Sequence, residues 1–95
     1  MNLFHELFLM FVVIYGRPGC SFCIHAHKLA ERLESAKVIE GYRYVEMWAE
    51  NISKEELAKT IGQPVHTVPQ VLIDQTPIGG FTEFDRYVRD HALLA

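Results

Sequence analysis

Nine apolar residues in a row, Leu7 to Tyr15 (LFLMFVVIY), dominate the start of the chain. A membrane-spanning helix needs about 20, and a secretory signal needs a basic start that MNLFHE does not offer, so a buried strand is the better reading. Phe11 to Tyr15 is β-branched or aromatic throughout, which predicts a strand covered on both faces in a parallel sheet. From Cys23 the rhythm changes: Ala26, Ala30 and Leu33 fall on one side of a helix and His25, Lys28, Arg32 and Ser35 on the other. Tyr42 to Met47 is strand-like, and Ser53 with Glu56 forms a capping box that opens a short helix ending at Gly62, before Pro64. Val71 to Ile73 predicts another strand, Asp74 to Pro77 a turn, and Ile78 the start of an antiparallel return. Thr82 is a good N-cap for a closing helix whose apolar face is Phe84, Tyr87, Val88 and a half-buried His91.

The order β-α-β-α-β-β-α implies an α/β fold. A right-handed crossover makes the first two strands parallel and the hairpin adds antiparallel neighbours, giving a four-stranded mixed sheet with helices on both faces. Ninety-five residues, 49% of them hydrophobic and 22% charged, support one core and one domain. Residues 10–95 are read as that domain and residues 1–9 as an N-terminal extension. A net charge of −3 argues against a nucleic-acid partner bound through its phosphates, and the short apolar run argues against a membrane one.

Chemistry concentrates in G-R-P-G-C-S-F-C, residues 16–23, where the first strand hands over to its helix. Ligands in open α/β sheets gather at such strand ends, and a helix N-terminus favours a thiolate. No Asp or Glu occurs from Leu7 to Ala30, whereas Arg17, His25, His27 and Lys28 do. A low thiol pKa acts mainly on departure. Moving it from about 8.5 to about 5 raises the thiolate fraction roughly thirtyfold at pH 7, but a Brønsted slope of about 0.4–0.5 weakens each thiolate comparably. Cys20 therefore reads as the nucleophile and good leaving group, and Cys23, one turn on, as the thiol that resolves its mixed disulfides. A structural bridge closing so small a loop would stabilise little. A zinc site would need more ligands than the cysteines supply, and His25 and His27 point about 200° apart on a helix. A Cys-x-x-Cys beside a βαβ pattern reads instead as a thioredoxin-like redox motif.

With T-V-P-Q at residues 67–70 and G-G-F-T-E-F at residues 79–84, the cysteine motif closely resembles the glutaredoxins, above all the small bacterial dithiol members that supply electrons to ribonucleotide reductase. The likeness runs from Met10 to about Leu94. It implies a thioredoxin fold with a cis peptide before Pro69. It also implies a cytoplasmic, monomeric glutathione-dependent oxidoreductase that reduces protein disulfides and glutathione mixed disulfides.

Carried over residue by residue, the resemblance puts the backbone of Val68, with Thr67 and Pro69, alongside extended glutathione as an added strand. It puts the γ-glutamyl carboxylate at the N–H groups of Thr82 and Glu83, with the Glu83 side chain toward the ligand's amino group. Gly80 lets the backbone come close, Arg17 faces the glycine carboxylate, and Phe22 and Phe81 supply apolar walls. His66, when protonated, would add to the attraction for a carboxylate. Three features depart from the family pattern: Ser21-Phe22 replaces Pro-Tyr between the cysteines, Glu83 replaces aspartate, and Phe81 replaces tyrosine. No resident metal is expected of the dithiol type. Ser21 opens an alternative, because some glutaredoxins with a small residue there hold a [2Fe-2S] cluster between two chains through the first cysteine, here Cys20, and two glutathiones.

Overall fold

A computed structural model describes residues 10–94. The proposed extension, residues 1–9, lies outside them. Seven elements follow in the expected order: β1 (Phe11–Gly16), α1 (Ser21–Ser35), β2 (Gly41–Glu46), α2 (Lys54–Ile61), β3 (Gln70–Ile73), β4 (Thr76–Gly79) and α3 (Phe81–Asp90). The strands stand in the order β2-β1-β3-β4. β1 runs parallel to β2 and antiparallel to β3, and β3 is antiparallel to β4. This is the mixed sheet of a thioredoxin fold, with α1 and α3 packed on one face and α2 on the other.

Strand register explains where the core sits. Val12 lies opposite Ile73 and Ile14 opposite Val71, so the four share a face with Ala26, Leu29, Ala30 and Leu33 of α1 and with Phe84 and Val88 of α3. Phe84, the largest fully buried side chain, anchors α3 to that face, and losing it to alanine would cost about 3–5 kcal/mol. The opposite face is thinner. Only Leu57 of α2 is buried, Val13 and Tyr15 are half-buried, and Phe11 is exposed, so β1 alternates rather than being covered on both faces as the sequence suggests. β3, inside the sheet, is the strand that is buried along its whole length.

Local signals decide the ends of most elements. Ser53 Oγ accepts from the Glu56 N–H at 3.0 Å while Glu56 accepts from the Ser53 N–H at 3.2 Å, and Gly62 closes α2 in the left-handed conformation at φ 77°. The hairpin is tighter than expected. Asp74 and Gln75, both at positive φ, form its two-residue turn, and Pro77 lies within β4, an edge strand where its missing N–H is tolerated. Asp74 also ties the turn to β1, accepting from the Phe11 N–H at 2.9 Å while its own N–H donates to Phe11 O at 2.9 Å.

The start of α3 corrects another expectation: its N-cap is Gly80, not Thr82. Glycine has no capping side chain, and Glu83 does the work from inside the helix, its Oε1 accepting from the Gly80 N–H at 2.7 Å. His91 is exposed rather than half-buried, because it is the C-cap, where its ring stacks on Tyr87 at 4.0 Å.

Candidate active site

The N-cap residue of α1 is Cys20. Its Sγ accepts from the Cys23 N–H at 3.2 Å, as a capping serine oxygen would. The two cysteines are paired as a disulfide, with Cα atoms 5.2 Å apart. Their environments differ sharply. Cys20 is part-exposed, whereas Cys23 is 0% exposed beneath the first turn of α1. Neither Asp nor Glu occupies that turn.

Beside the sulfur runs the segment preceding β3. The Val68–Pro69 peptide is cis, as expected, and the Val68 carbonyl oxygen lies 3.8 Å from Cys20 Sγ. Among the described residues, no backbone–backbone hydrogen bond involves residues 64–68. The polar backbone atoms of Val68 therefore have no main-chain partner among the described residues.

A groove of about 270 Å³ opens here, lined by Phe22, Thr67, Val68, Pro69, Gly80, Phe81, Thr82 and Glu83. Every residue singled out as a ligand contact from the sequence is in this lining except Arg17 and His66. The elements meet because cis-Pro69 and the start of α3 approach closely: a Cβ on Gly80 would lie 3.4 Å from Pro69 O. Phe22 and Phe81 stack with centroids 6.3 Å apart, and His25 lies 5.5 Å from Phe81. Phe22 is 56% exposed, so an aromatic wall stands open at the mouth.

Two placements differ from the sequence reading, those of Arg17 and His66. Arg17 lines two neighbouring grooves instead, one of about 410 Å³ with Trp48 and Lys54, the other of about 460 Å³ with His27 and Tyr44. Glu83 lines the groove and accepts the Gly80 N–H with one carboxylate oxygen. His66 is exposed and outside the groove lining; its carbonyl accepts from Lys54 Nζ at 3.2 Å. Sequence reasoning passed over Gln70, whose Nε2 donates to Thr67 O at 2.8 Å. Its one signal is a polar residue heading an otherwise apolar strand.

Behind the cysteines, Tyr44 packs against Gly16, and the His27 ring stacks on it at 4.4 Å. Burial, and secondarily Glu46, raise the Tyr44 phenol above its ordinary value, so it stays neutral. No three His, Cys, Asp or Glu side chains converge among the described residues, so a metal cluster would need ligands from outside them.

The glutaredoxin family model matches residues 12–78. A glutaredoxin from Haemophilus influenzae is 52% identical over 81 residues, covering 85% of this chain and 93% of that protein. The chain belongs to the glutaredoxin family. Among solved structures, reduced Escherichia coli glutaredoxin is similar with a TM-score of 0.73 and 44% identity, covering 84% of this chain and 94% of that one. A buckwheat glutaredoxin, solved as a glutathione complex, is 26% identical with a TM-score of 0.64, covering 93% and 77% of the two chains. The family and the Cys20–Cys23 pair make this glutaredoxin a thiol–disulfide oxidoreductase. Among the described residues, no helix is long and apolar enough to cross a membrane.

Proposed function

We propose that this glutaredoxin is glutathione-dependent and reduces protein disulfides and glutathione mixed disulfides, with Cys20 as nucleophile and Cys23 as resolving thiol. The observation that carries the reading is the Val68 backbone beside Cys20, which has no main-chain hydrogen-bond partner among the described residues and faces the first turn of α3 across one groove. An extended tripeptide can pair with that backbone as an added strand and put its sulfur on Cys20. Its γ-glutamyl carboxylate then meets the free N–H groups at the start of α3. Phe22 and Phe81 flank the sulfur.

The steps follow from access and leaving ability. Cys20 thiolate, stabilised by the Cys23 N–H and the helix terminus, attacks one sulfur of a client disulfide; a mixed disulfide forms and the client's other sulfur departs as thiolate. Cys23 then attacks Cys20 Sγ, releasing the client's second thiol and forming the Cys20–Cys23 disulfide. A glutathione thiolate attacks Cys20, the sulfur that is open to solvent, and expels Cys23. A second glutathione takes the first away as glutathione disulfide and returns Cys20 to thiolate. Two electrons pass from two glutathiones to one disulfide. On a glutathione mixed disulfide, Cys20 and glutathione suffice and Cys23 is dispensable.

Arg17 lines two other grooves, and its place at a ligand carboxylate rests on the family resemblance. Ribonucleotide reductase as a client, a cytoplasmic location and a monomeric state rest on the family resemblance. The test is turnover of a glutathionylated peptide, coupled to NADPH through glutathione reductase, for wild type, Cys20→Ser and Cys23→Ser. The reading expects activity in wild type and Cys23→Ser and none in Cys20→Ser. Negligible wild-type turnover would overturn it.

A further inference from the structure

Gln70 is the one buried polar side chain among the described residues, 9% exposed at the head of β3. It sits just beyond the cis-proline, and its Nε2 donates to the carbonyl of Thr67 at 2.8 Å, bridging three residues of chain. The bridge matters because of what the backbone lacks. Residues 64–68 have no backbone–backbone hydrogen bond among the described residues, and Pro69 brings no N–H. Side chains reach in instead: Lys54 Nζ on the exposed His66 carbonyl at 3.2 Å, Cys20 Sγ 3.8 Å from the Val68 carbonyl, and the buried Gln70 on the part-buried Thr67 carbonyl. The Thr67 carbonyl belongs to the same peptide plane as the Val68 N–H. Holding one atom of that plane therefore aims the other.

We propose that Gln70 is a positioning residue: its amide fixes the Thr67–Val68 peptide plane so that the Val68 N–H is presented to the extended ligand beside Cys20. The proposal rests on the glutathione reading and adds to it a residue that touches neither the sulfur nor the groove. An edge that is aimed before binding loses less freedom on binding. Removing the amide donor weakens capture of the glutathionyl group, while attack at Cys20, governed by α1, keeps its rate.

The experiment compares wild type, Gln70→Leu and Gln70→Glu on a glutathionylated peptide from pH 5.5 to 8, each with its thermal unfolding midpoint. In Gln70→Leu, KM rises roughly fivefold, as expected for loss of one hydrogen bond, with kcat little changed. In Gln70→Glu, the carboxylate cannot donate at pH 8 and repels the Thr67 carbonyl, so KM rises there. Burial beside the Thr67 carbonyl raises the introduced carboxyl above its ordinary value of about 4.3, so as pH falls toward 5.5 it protonates, can donate to that carbonyl again, and the ratio of variant to wild-type KM returns toward one. A purely structural role would not produce that recovery. Should Gln70→Leu fail to fold, the Gln70→Glu ratio decides alone. KM ratios near one throughout, or a Gln70→Glu ratio independent of pH, overturn the proposal while the glutathione reading stands. A wild type without turnover overturns both.

Discussion

The Cys23 N–H donates to Cys20 Sγ at 3.2 Å, so the sulfur caps the same helix whose first turn buries its partner. One interaction orients the outer sulfur and leaves the inner one shielded. Chemical access is thus divided between two residues of one turn.

Alkylation should reveal that division. With the disulfide reduced, iodoacetamide under native conditions labels Cys20 and leaves Cys23 largely unlabelled, because Cys20 is part-exposed and Cys23 is 0% exposed. Peptide mapping by mass spectrometry reads the order directly. Labelling of Cys23 first would reverse the roles.

Much of this is legible in the sequence. The Ser53–Glu56 box, the Gly62 cap and the apolar face of α1 are local signals, and each appears where the sequence puts it. What escaped depended on tertiary context. Thr82 looks like an N-cap, but Glu83 caps from N3 and lets Gly80 take the position. Phe11 to Tyr15 reads as doubly buried because all five residues are apolar, yet the thinner face leaves Phe11 39% exposed. Three separated motifs anticipated the groove lining, whereas Arg17, adjacent in sequence, projects into other grooves. Gln70 becomes notable only because the segment before the cis-proline lacks backbone partners among the described residues.

Gly16 is a test of close packing. A Cβ there would run into the Tyr44 hydroxyl and lie 2.9 Å from Tyr44 Cζ and 3.1 Å from Cys23 Cβ. The Tyr44 ring is stacked on His27 and has little room to withdraw. Gly16→Ala should therefore cost about 1–3 kcal/mol in urea denaturation. Adding Tyr44→Phe removes the hydroxyl but not the ring carbon, and should recover only part of the loss.

Alkaline stability gives a second test. Burial raises the phenols of Tyr42, Tyr44 and Tyr87, helped by Glu31 and Glu34, by Glu46 and by Asp74 respectively. A phenol raised in the folded state holds its proton there after the unfolded chain has released it. Its contribution is complete below the unfolded value of about 10 and is lost as pH rises through the folded value. Urea midpoints should hold from pH 8 to about 10 and fall above it. Tyr44→Phe should fall less steeply than wild type, and identical slopes would show that Tyr44 adds nothing.

The most direct measurement of the central claim is an amide NMR map of Cys23→Ser carrying glutathione on Cys20, compared with the same variant reduced. The account predicts the largest shifts at Val68, Phe81, Thr82 and Glu83, across the groove from one another. Shifts confined to the Arg17–Trp48 side, with Val68 and Thr82 unmoved, would contradict it.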